Sequence, residues 1–215
     1  MLADYPSIAG AIGFALLGGA GAARVASAYA GSTIPVLLGV SGCTSLAVWS
    51  LFVATSHLRL AEALMFGWCL FVLALIDILA YRLPNSITYF LIVSGLGLAF
   101  LLDAPRFTGD TLERLLGACG GFAAVAAIAW TYRTWGGKEG IGFGDAKLLA
   151  ASGAWLGWEA LPGVVLFASL MGLIWVLFAL IRNDREPAAL RVPFGAPLSL
   201  ATWLAWLYGP VLIRS

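Results

Sequence analysis

Long runs of apolar residues separated by short polar breaks constrain this sequence more than any other feature. The runs fall at about 8–30, 34–55, 61–81, 86–102, 113–133, 144–157, 160–181 and 195–213. Most of them are close to the length of about 20 residues that a helix needs to cross a bilayer. Of the 215 residues, 61% are hydrophobic and 11% are charged, whereas soluble domains are about 45–50% apolar and about 25% charged. This composition excludes a water-soluble globule.

The runs predict helices rather than strands. A strand that faces lipid must alternate between apolar and polar residues within a closed barrel, and the stretch VVLFASLMGLIWVLFALI does not alternate. We therefore predict an all-α, polytopic membrane protein of about eight hydrophobic helices. The first run is the weakest because it is rich in Gly and Ala. The run 144–157 is short for a full span, so we expect it to begin at the membrane surface or inside a cavity.

The basic residues predict an orientation and exclude one class of partner. With eight spans and the N-terminus outside, the cytoplasmic connections carry eight of the twelve Lys and Arg residues, which favours that orientation. The net charge of +1 offers no basic field for nucleic acid, so we expect no nucleic-acid partner. The first residues lack the basic region of a signal peptide, so we expect the first run to be retained.

Cysteine and histidine offer little material for a metal site. Cys43, Cys69 and Cys119 stand alone in apolar runs without CxxC spacing, and we predict that they are small core residues. His57 is the one histidine; it lies in a short polar break and is predicted to be a loop residue. We expect no metal and no cofactor.

Asp77 lies in an apolar run, where an ionisable side chain is energetically unfavourable. It stands near the end of the apolar run FGWCLFVLALIDILAYRLPN, on the side predicted to face the cytoplasm. An ionisable residue costs about 2.5–3.5 kcal/mol at the centre of a membrane helix, and less near the interface. A cost of this size indicates a functional use; the structural alternative is pairing with Arg82 or contact with lipid headgroups.

Asp145 lies in Gly142-Phe143-Gly144-Asp145-Ala146-Lys147, where a glycine-rich loop leads into an apolar run. The two glycines permit positive φ values or a close approach to another chain, and they leave access to the carboxyl group for an extended partner. The alternative is that Asp145 is only the N-cap of the following helix. Its predicted position on the same membrane face as Asp77 favours a functional role.

Two carboxyl groups held close together supply the chemistry of peptide hydrolysis. They cannot both ionise cheaply, so one keeps its proton while the other acts as a base. The carboxylate activates a water molecule that attacks the scissile carbonyl, and the neutral acid donates its proton to the carbonyl oxygen and later to the leaving amine. No metal and no Cys or Ser nucleophile is needed.

Several motifs in this order resemble those of the type IV prepilin peptidases, membrane aspartyl proteases of the GxGD class. They are Ile76-Asp77, Leu83-Pro84-Asn85, GIGFGDAKLLAASGAWLGW and Val192-Pro193-Phe194-Gly195-Ala196-Pro197. The similarity spans about residues 34–210. It implies that Asp77 and Asp145 form the catalytic dyad and that Gly142 and Gly144 shape the turn that presents the second acid. It further implies cleavage of the basic leader of prepilins or pseudopilins at the cytoplasmic face of the bacterial inner membrane.

The resemblance also sets the predicted domain organisation, a six-helix peptidase core preceded by two N-terminal helices. Residues 1–60 are predicted to be N-terminal membrane helices, and residues 61–215 the peptidase membrane domain. Many bacterial members N-methylate the new terminus with an insert between the first two spans that bears paired CxxC motifs. Here that connection is short and no CxxC occurs, so we expect neither the methylation nor the accompanying zinc site.

Three residues beside the two acids are further candidates for substrate binding or loop shaping. Pro84 and Asn85 are predicted to end one helix and to cap the next, where Asn85 or Ser86 accepts from free N–H groups. Lys147 has two interpretations. It lowers the pKa of the Asp145 carboxylate or touches substrate backbone, or it only snorkels to the interface.

Small and aromatic residues of the same region have structural interpretations. Gly153 and Gly157 form a small-xxx-small pair, which favours close helix contact, and we expect the partner to be the helix that carries Asp77. Trp155 is expected in the aromatic belt at the membrane interface.

Two other classes of function use the same acids. A small proton-coupled carrier or channel subunit would relay protons through them, but such a protein more often shows duplicated halves, and none is visible. An assembly subunit with both acids ion-paired leaves the Gly-x-Gly-Asp loop unexplained. We therefore predict an aspartyl endopeptidase whose partners are a prepilin or pseudopilin and membrane lipid; the sequence assigns no oligomeric state.

Overall fold

Eight α-helices run through the part of the chain that the computed structural model describes, which is residues 10, 13–31, 33–53, 57–103, 109–136, 142–181 and 193–209. They are α1 (Gly19–Ala30), α2 (Val36–Val53), α3 (His57–Ala80), α4 (Asn85–Asp103), α5 (Gly109–Gly136), α6 (Phe143–Leu156), α7 (Leu161–Ile181) and α8 (Gly195–Tyr208), with a π-helical turn, Phe14–Gly18, before α1. These ranges contain no strand. The all-α prediction is confirmed.

Three of the described helices are long and apolar enough to cross a membrane, over Arg59–Ala80, Thr111–Trp135 and Leu161–Ile181. Val36–Phe52 and Asn85–Leu101 are shorter apolar helices. Large apolar side chains such as Leu37 and Phe52, 82% and 85% exposed, point outward, as expected where lipid replaces water as the surroundings. The chain is a multi-pass membrane protein.

The chain divides into two compact units, Met1–Tyr81 and Arg82–Ser215. The predicted functional boundary at residue 60 lies within α3 and stays a prediction. Segments 104–108, 137–141 and 182–192, which carry part of the predicted Lys and Arg bias, lie outside the described residues.

The first unit is built on a close crossing of α1 and α2. A Cβ at Gly19 would overlap the backbone of Val40, and Gly39 meets the backbone of α1 in the same way. Such small residues let two membrane helices approach backbone to backbone. The π-helical turn before α1 contributes the carbonyl of Gly18, which accepts a 2.8 Å hydrogen bond from the Trp68 indole of α3. The buried end of the Trp68 indole thereby has a hydrogen-bond partner within the first unit.

The second unit is built around α6. At 14 residues this helix is about 21 Å long, less than the hydrocarbon thickness of about 30 Å. Nine of its residues are buried, because α4, α5, α7 and α8 all contact it. A helix surrounded by protein needs neither the length nor the all-round apolar surface of a lipid-facing span.

Trp155 of α6 is buried rather than in the aromatic belt, so that prediction was wrong. It is 4% exposed, and its indole N–H donates a 2.8 Å hydrogen bond to the Leu91 carbonyl of α4. A Cβ on Gly95, one turn further along α4, would lie 2.6 Å from the indole. The glycine makes the room that the ring fills, and the ring satisfies its N–H on the same helix.

Gly153 has a close partner within the second unit. Gly153 packs on Gly117 of α5, where a Cβ on Gly117 would lie 2.8 Å from the Gly153 carbonyl oxygen. Gly157 ends α6 with φ +82°, and its N–H donates to the Gly153 carbonyl at 2.9 Å. The pair packs closely against α5, as a small-xxx-small pair is expected to pack, and Gly157 also ends α6; a contact with the helix that carries Asp77 stays a prediction.

A buried hydroxyl pair joins α6 to α8. Ser152 Oγ lies 2.7 Å from Thr202 Oγ1, and each hydroxyl is also within hydrogen-bond distance of the carbonyl four residues earlier in its own helix, Leu148 for Ser152 and Leu198 for Thr202. Each apolar helix thus carries one hydroxyl that contacts both its own backbone and the neighbouring helix.

Two smaller predictions need correction. Cys43 and Cys69 are buried as expected, but Cys119 of α5 is exposed. His57 is the first residue of α3, not a loop residue.

Candidate active site

Asp77 lies in the last turn of α3. Its side chain is buried, with 6% exposed. The helix ends three residues later at Ala80, where the N–H of Tyr81 donates to the Asp77 carbonyl at 2.9 Å and Tyr81 adopts φ +52°. This left-handed conformation is usually taken by glycine at a helix end. Asp77 is thus at the end of an apolar helix, as its position in the sequence predicted.

Pro84 and Asn85 mark the start of α4. Pro84 is buried, and α4 begins at Asn85. The helix boundary predicted from this pair is therefore confirmed. The Pro84 carbonyl accepts from the N–H of Thr88 at 3.3 Å, which continues the helical bonding through the proline. The Asn85 side-chain oxygen accepts from Lys147 of α6, a contact that the capping interpretation did not include.

Asp145 is the third residue of α6 and lies in its first turn. The N-cap position belongs to Gly142, and the N–H of Asp145 donates to the Gly142 carbonyl at 3.1 Å. The alternative that Asp145 is only an N-cap therefore fails. Because the first turn of a helix leaves N–H groups without helical partners, it stabilises negative charge. An acid in this place has support for its ionised form.

The two glycines of the motif serve different purposes. Gly142 has φ −74° and ψ 134°, a conformation that any residue adopts, and a Cβ there would meet no atom nearer than 3.9 Å. Gly144 lies against Leu83, whose Cβ would be 3.0 Å from a Cβ on Gly144. Neither residue has a positive φ, so the predicted positive φ is not observed. At Gly144 the close contact is with Leu83 of the same chain, and the approach of another chain stays a prediction.

Lys147 reaches across to α4. Its Nζ donates a 2.7 Å hydrogen bond to Asn85 Oδ1 and lies 5.2 Å from the centre of the Tyr89 ring, within the range of a cation–π contact. The lysine therefore joins the start of α6 to the start of α4. The stretch Leu83-Pro84-Asn85 and the first turns of α6 meet in this unit.

Two aromatic or cationic neighbours of the motif were missed from the sequence. The Tyr89 ring makes the cation–π contact with Lys147. The guanidinium of Arg133, in the last turn of α5, lies 5.3 Å from the centre of the Phe143 ring. Asn85 and Tyr89 stand four residues apart, which places them on one helix face; this spacing was the available signal for Tyr89. No comparable signal linked Arg133 to Phe143.

Asp77 belongs to the first compact unit and Asp145 to the second, and their pairing stays a prediction. Among the described residues, no group of three or more His, Cys, Asp or Glu side chains is arranged to hold a metal ion. An apolar cavity of about 800 Å³ lies between α7 and α8, where Trp158, Phe167, Leu170, Leu204 and Tyr208 form part of its wall. It includes none of the predicted site residues.

Known proteins similar to this chain point to one family. The model of the type IV leader peptidase family matches residues 64–177, just over half of the chain. A prepilin leader peptidase/N-methyltransferase of Aeromonas salmonicida (strain A449) is 40% identical over 153 residues, which are 71% of this chain and 50% of that protein. Proteins of the same name from Pseudomonas putida and Burkholderia pseudomallei (strain 1026b) are 35% and 36% identical, over 81% of this chain and 59% and 52% of their own lengths.

The chain spans about half the length of the curated relatives it matches first. No solved structure matches it significantly. The family match covers α6 with its Gly-x-Gly-Asp turn, the start of α4, and the end of α3. The chain belongs to the type IV leader peptidase family.

Proposed function

We propose that this protein is an aspartyl endopeptidase that removes the basic leader of type IV prepilins or pseudopilins at the cytoplasmic face of the bacterial inner membrane. The main support is that the family match at residues 64–177 includes both Asp77 and Asp145. The names of the relatives describe prepilin leader peptidases. The Lys and Arg bias of the predicted loops supports the cytoplasmic placement.

In this proposal Asp77 and Asp145 form the catalytic dyad and share one proton, because two adjacent carboxyl groups do not both ionise cheaply. Asp145 is the base, since it lies in the first turn of α6, where a negative charge is stabilised. Asp77 then holds the proton and acts as the acid. This division assigns each carboxyl group one step of the hydrolysis.

The reaction follows from these two roles. The Asp145 carboxylate takes a proton from a water molecule as the water oxygen attacks the scissile carbonyl carbon. Asp77 donates its proton to the carbonyl oxygen. The tetrahedral intermediate then collapses: Asp145 gives its proton to the leaving amine as the C–N bond breaks, and one hydroxyl of the intermediate returns its proton to Asp77 as the new carboxyl group forms. Two carboxyl groups and one water molecule complete the cycle.

The neighbouring residues of the motif have supporting roles in this proposal. Gly144 lets α6 begin directly against Leu83, which fixes the position of the helix turn that bears Asp145. Gly142 is exposed and leaves room beside the carboxyl group for an extended peptide. Pro84 starts α4 at a fixed position, and Asn85 ties that start to α6 through Lys147.

A proton-coupled carrier has no comparable support. Both acids lie within the segment matched by a family of leader peptidases, and nothing in the described residues favours a relay over hydrolysis. We therefore retain one proposed function.

Cleavage of a synthetic prepilin peptide by the purified protein, read by mass spectrometry, tests the proposal. The wild type should release the leader at one peptide bond. Asp77→Asn and Asp145→Asn should each abolish cleavage, because asparagine neither acts as the base nor donates an acidic proton. Glu159→Gln is the matched control, since Glu159 is an exposed acid in the turn between α6 and α7, and it should cleave at the wild-type rate.

Two results would contradict the proposal. One is a wild-type protein that inserts and folds but leaves prepilin peptides intact. The other is cleavage at the wild-type rate by either Asp→Asn variant.

A further inference from the structure

We propose that Tyr89 is a positioning residue, which holds Lys147 against Asn85 and thereby fixes the start of α6, the turn that carries Asp145. The inference rests on the proposed function in that Asp145 is taken as catalytic. Neither the motifs of the sequence nor the family comparison assigns any role to Tyr89.

The geometry of the contact is specific. The Lys147 ammonium lies 2.7 Å from Asn85 Oδ1 and 5.2 Å from the centre of the Tyr89 ring. Asn85 and Tyr89 are one turn apart on α4, so their side chains share a face. The ammonium therefore meets an amide oxygen and an aromatic face at once, and each contact restricts where the other can form.

The side chain of Lys147 points to α4, so we infer that Lys147 influences Asp145 through the backbone of α6. Residues two apart on a helix do not face each other, so Lys147 and Asp145 do not share a face of α6. The Lys147 ammonium makes its contacts with α4. Lys147 therefore affects the position of Asp145 through the helix turn to which both residues belong.

A second contact makes the same turn sensitive to displacement. Gly144 lies against Leu83, at a spacing where an added Cβ would be 3.0 Å from the leucine Cβ. The start of α6 is thus held by Leu83 at one residue and by Asn85 and Tyr89 at another. Catalytic groups displaced by about 1 Å lose about 100-fold in rate, so loss of either contact should be visible in turnover.

The contributions of the Tyr89 ring and of its hydroxyl can be measured separately by substitution. Only the ring face attracts the ammonium, so Tyr89→Phe retains the contact and Tyr89→Leu removes it. Phe90 is the matched control, because it is the next residue of α4, bears an aromatic ring and is 50% exposed, and no cation is placed over it among the described contacts. Phe90→Leu removes a ring of the same size without touching Lys147.

Kinetics of prepilin peptide cleavage by the intact protein in detergent provide the first readout. For Tyr89→Leu we expect a fall in kcat of about two- to fivefold, the size of an exposed cation–π contact, with KM unchanged. Tyr89→Phe and Phe90→Leu should match the wild type. A raised KM with unchanged kcat would show that this group binds substrate, and equal losses in Tyr89→Phe and Tyr89→Leu would show that the ring is not what matters; either result overturns the proposal.

Hydrogen exchange provides a readout that does not depend on activity. The amides of residues 142–149 should exchange about two- to fivefold faster in Tyr89→Leu than in the wild type or Phe90→Leu, because the first turns of α6 lose a contact of that size. Equal exchange in all three proteins overturns the inference. A wild type that cleaves no prepilin overturns the proposed function instead, so the two failures are distinguishable.

Discussion

The two glycines of the Gly142-Phe143-Gly144-Asp145 turn should respond differently to the same substitution. In Gly142→Ala the new methyl group meets no atom nearer than 3.9 Å, and φ −74° with ψ 134° suits alanine. In Gly144→Ala the new methyl group lies 3.0 Å from Leu83 Cβ and 3.1 Å from Leu83 Cδ1. The first change adds a side chain to open space, and the second adds one to an occupied contact.

The magnitudes follow from these distances. Replacing glycine by alanine in a compatible conformation stabilises a protein by about 0.4–1 kcal/mol, so Gly142→Ala should unfold at the wild-type temperature or slightly above. Overpacking costs about 1–3 kcal/mol, and the better helix propensity of alanine offsets up to about 1 kcal/mol of it at Gly144. Gly144→Ala should therefore be destabilised by up to about 2 kcal/mol and should be less stable than Gly142→Ala.

Thermal unfolding of the purified proteins in one detergent measures the difference, and prepilin cleavage measures its consequence. Gly144→Ala should lose more activity than Gly142→Ala because displacement of Leu83 moves the turn that carries Asp145. If Gly142→Ala is destabilised as much as Gly144→Ala, or more, the steric reasoning is refuted. If Gly142→Ala is fully stable but has low activity, the added methyl group obstructs the substrate and does not disturb packing.

Further predictions concern the bonds that hold the helices together. Trp155→Phe keeps most of the ring but removes the indole donor to the Leu91 carbonyl, which still accepts from the Ser94 hydroxyl at 3.1 Å, so we expect a loss of about 0.5–1.5 kcal/mol in thermal unfolding, whereas Trp158→Phe, an exposed tryptophan, should change stability little. Ser152→Ala and Thr202→Val together should lose less stability than the sum of the single variants, with a coupling of about 0.6 kcal/mol for the interhelical pair; additive losses would show that each hydroxyl serves only its own helix. Tyr81→Gly should raise the unfolding temperature, because φ +52° costs a non-glycine residue about 1 kcal/mol or more; a lower temperature would show that the tyrosine side chain stabilises more than its backbone costs.

Sequence reasoning predicted the helices well because the length of an apolar run between polar breaks is itself the physical determinant of a membrane helix. The run 144–157 was recognised as short, and α6 is a short helix enclosed by four others. What the sequence did not predict is which face of each helix is covered. Trp155 was assigned to the interface and is buried, while Cys119 was assigned to the core and is exposed.

The candidate site was predictable residue by residue but not as an arrangement. Asp145 and its glycines are adjacent in sequence, so their common turn was expected. Lys147 and Asn85 are 62 residues apart, and no local pattern specifies that they meet. The distinction between Gly142 and Gly144 depends on where Leu83 packs, which only the tertiary structure determines. The pairing of Asp77 with Asp145 is likewise a matter of tertiary arrangement, and it stays a prediction.

Cross-linking tests the central claim that Asp77 and Asp145 share one site. In a protein whose three native cysteines are replaced by alanine, Asp77→Cys and Asp145→Cys are combined, and Asp77→Cys with Glu159→Cys is the control pair. Disulfides form where Cα atoms lie within about 7 Å, and a short bifunctional thiol reagent extends that reach slightly. We predict an intramolecular cross-link, read by mass spectrometry after proteolysis, between positions 77 and 145 and none in the control pair. Failure of the first pair to cross-link, with both thiols freely alkylated, would contradict the dyad.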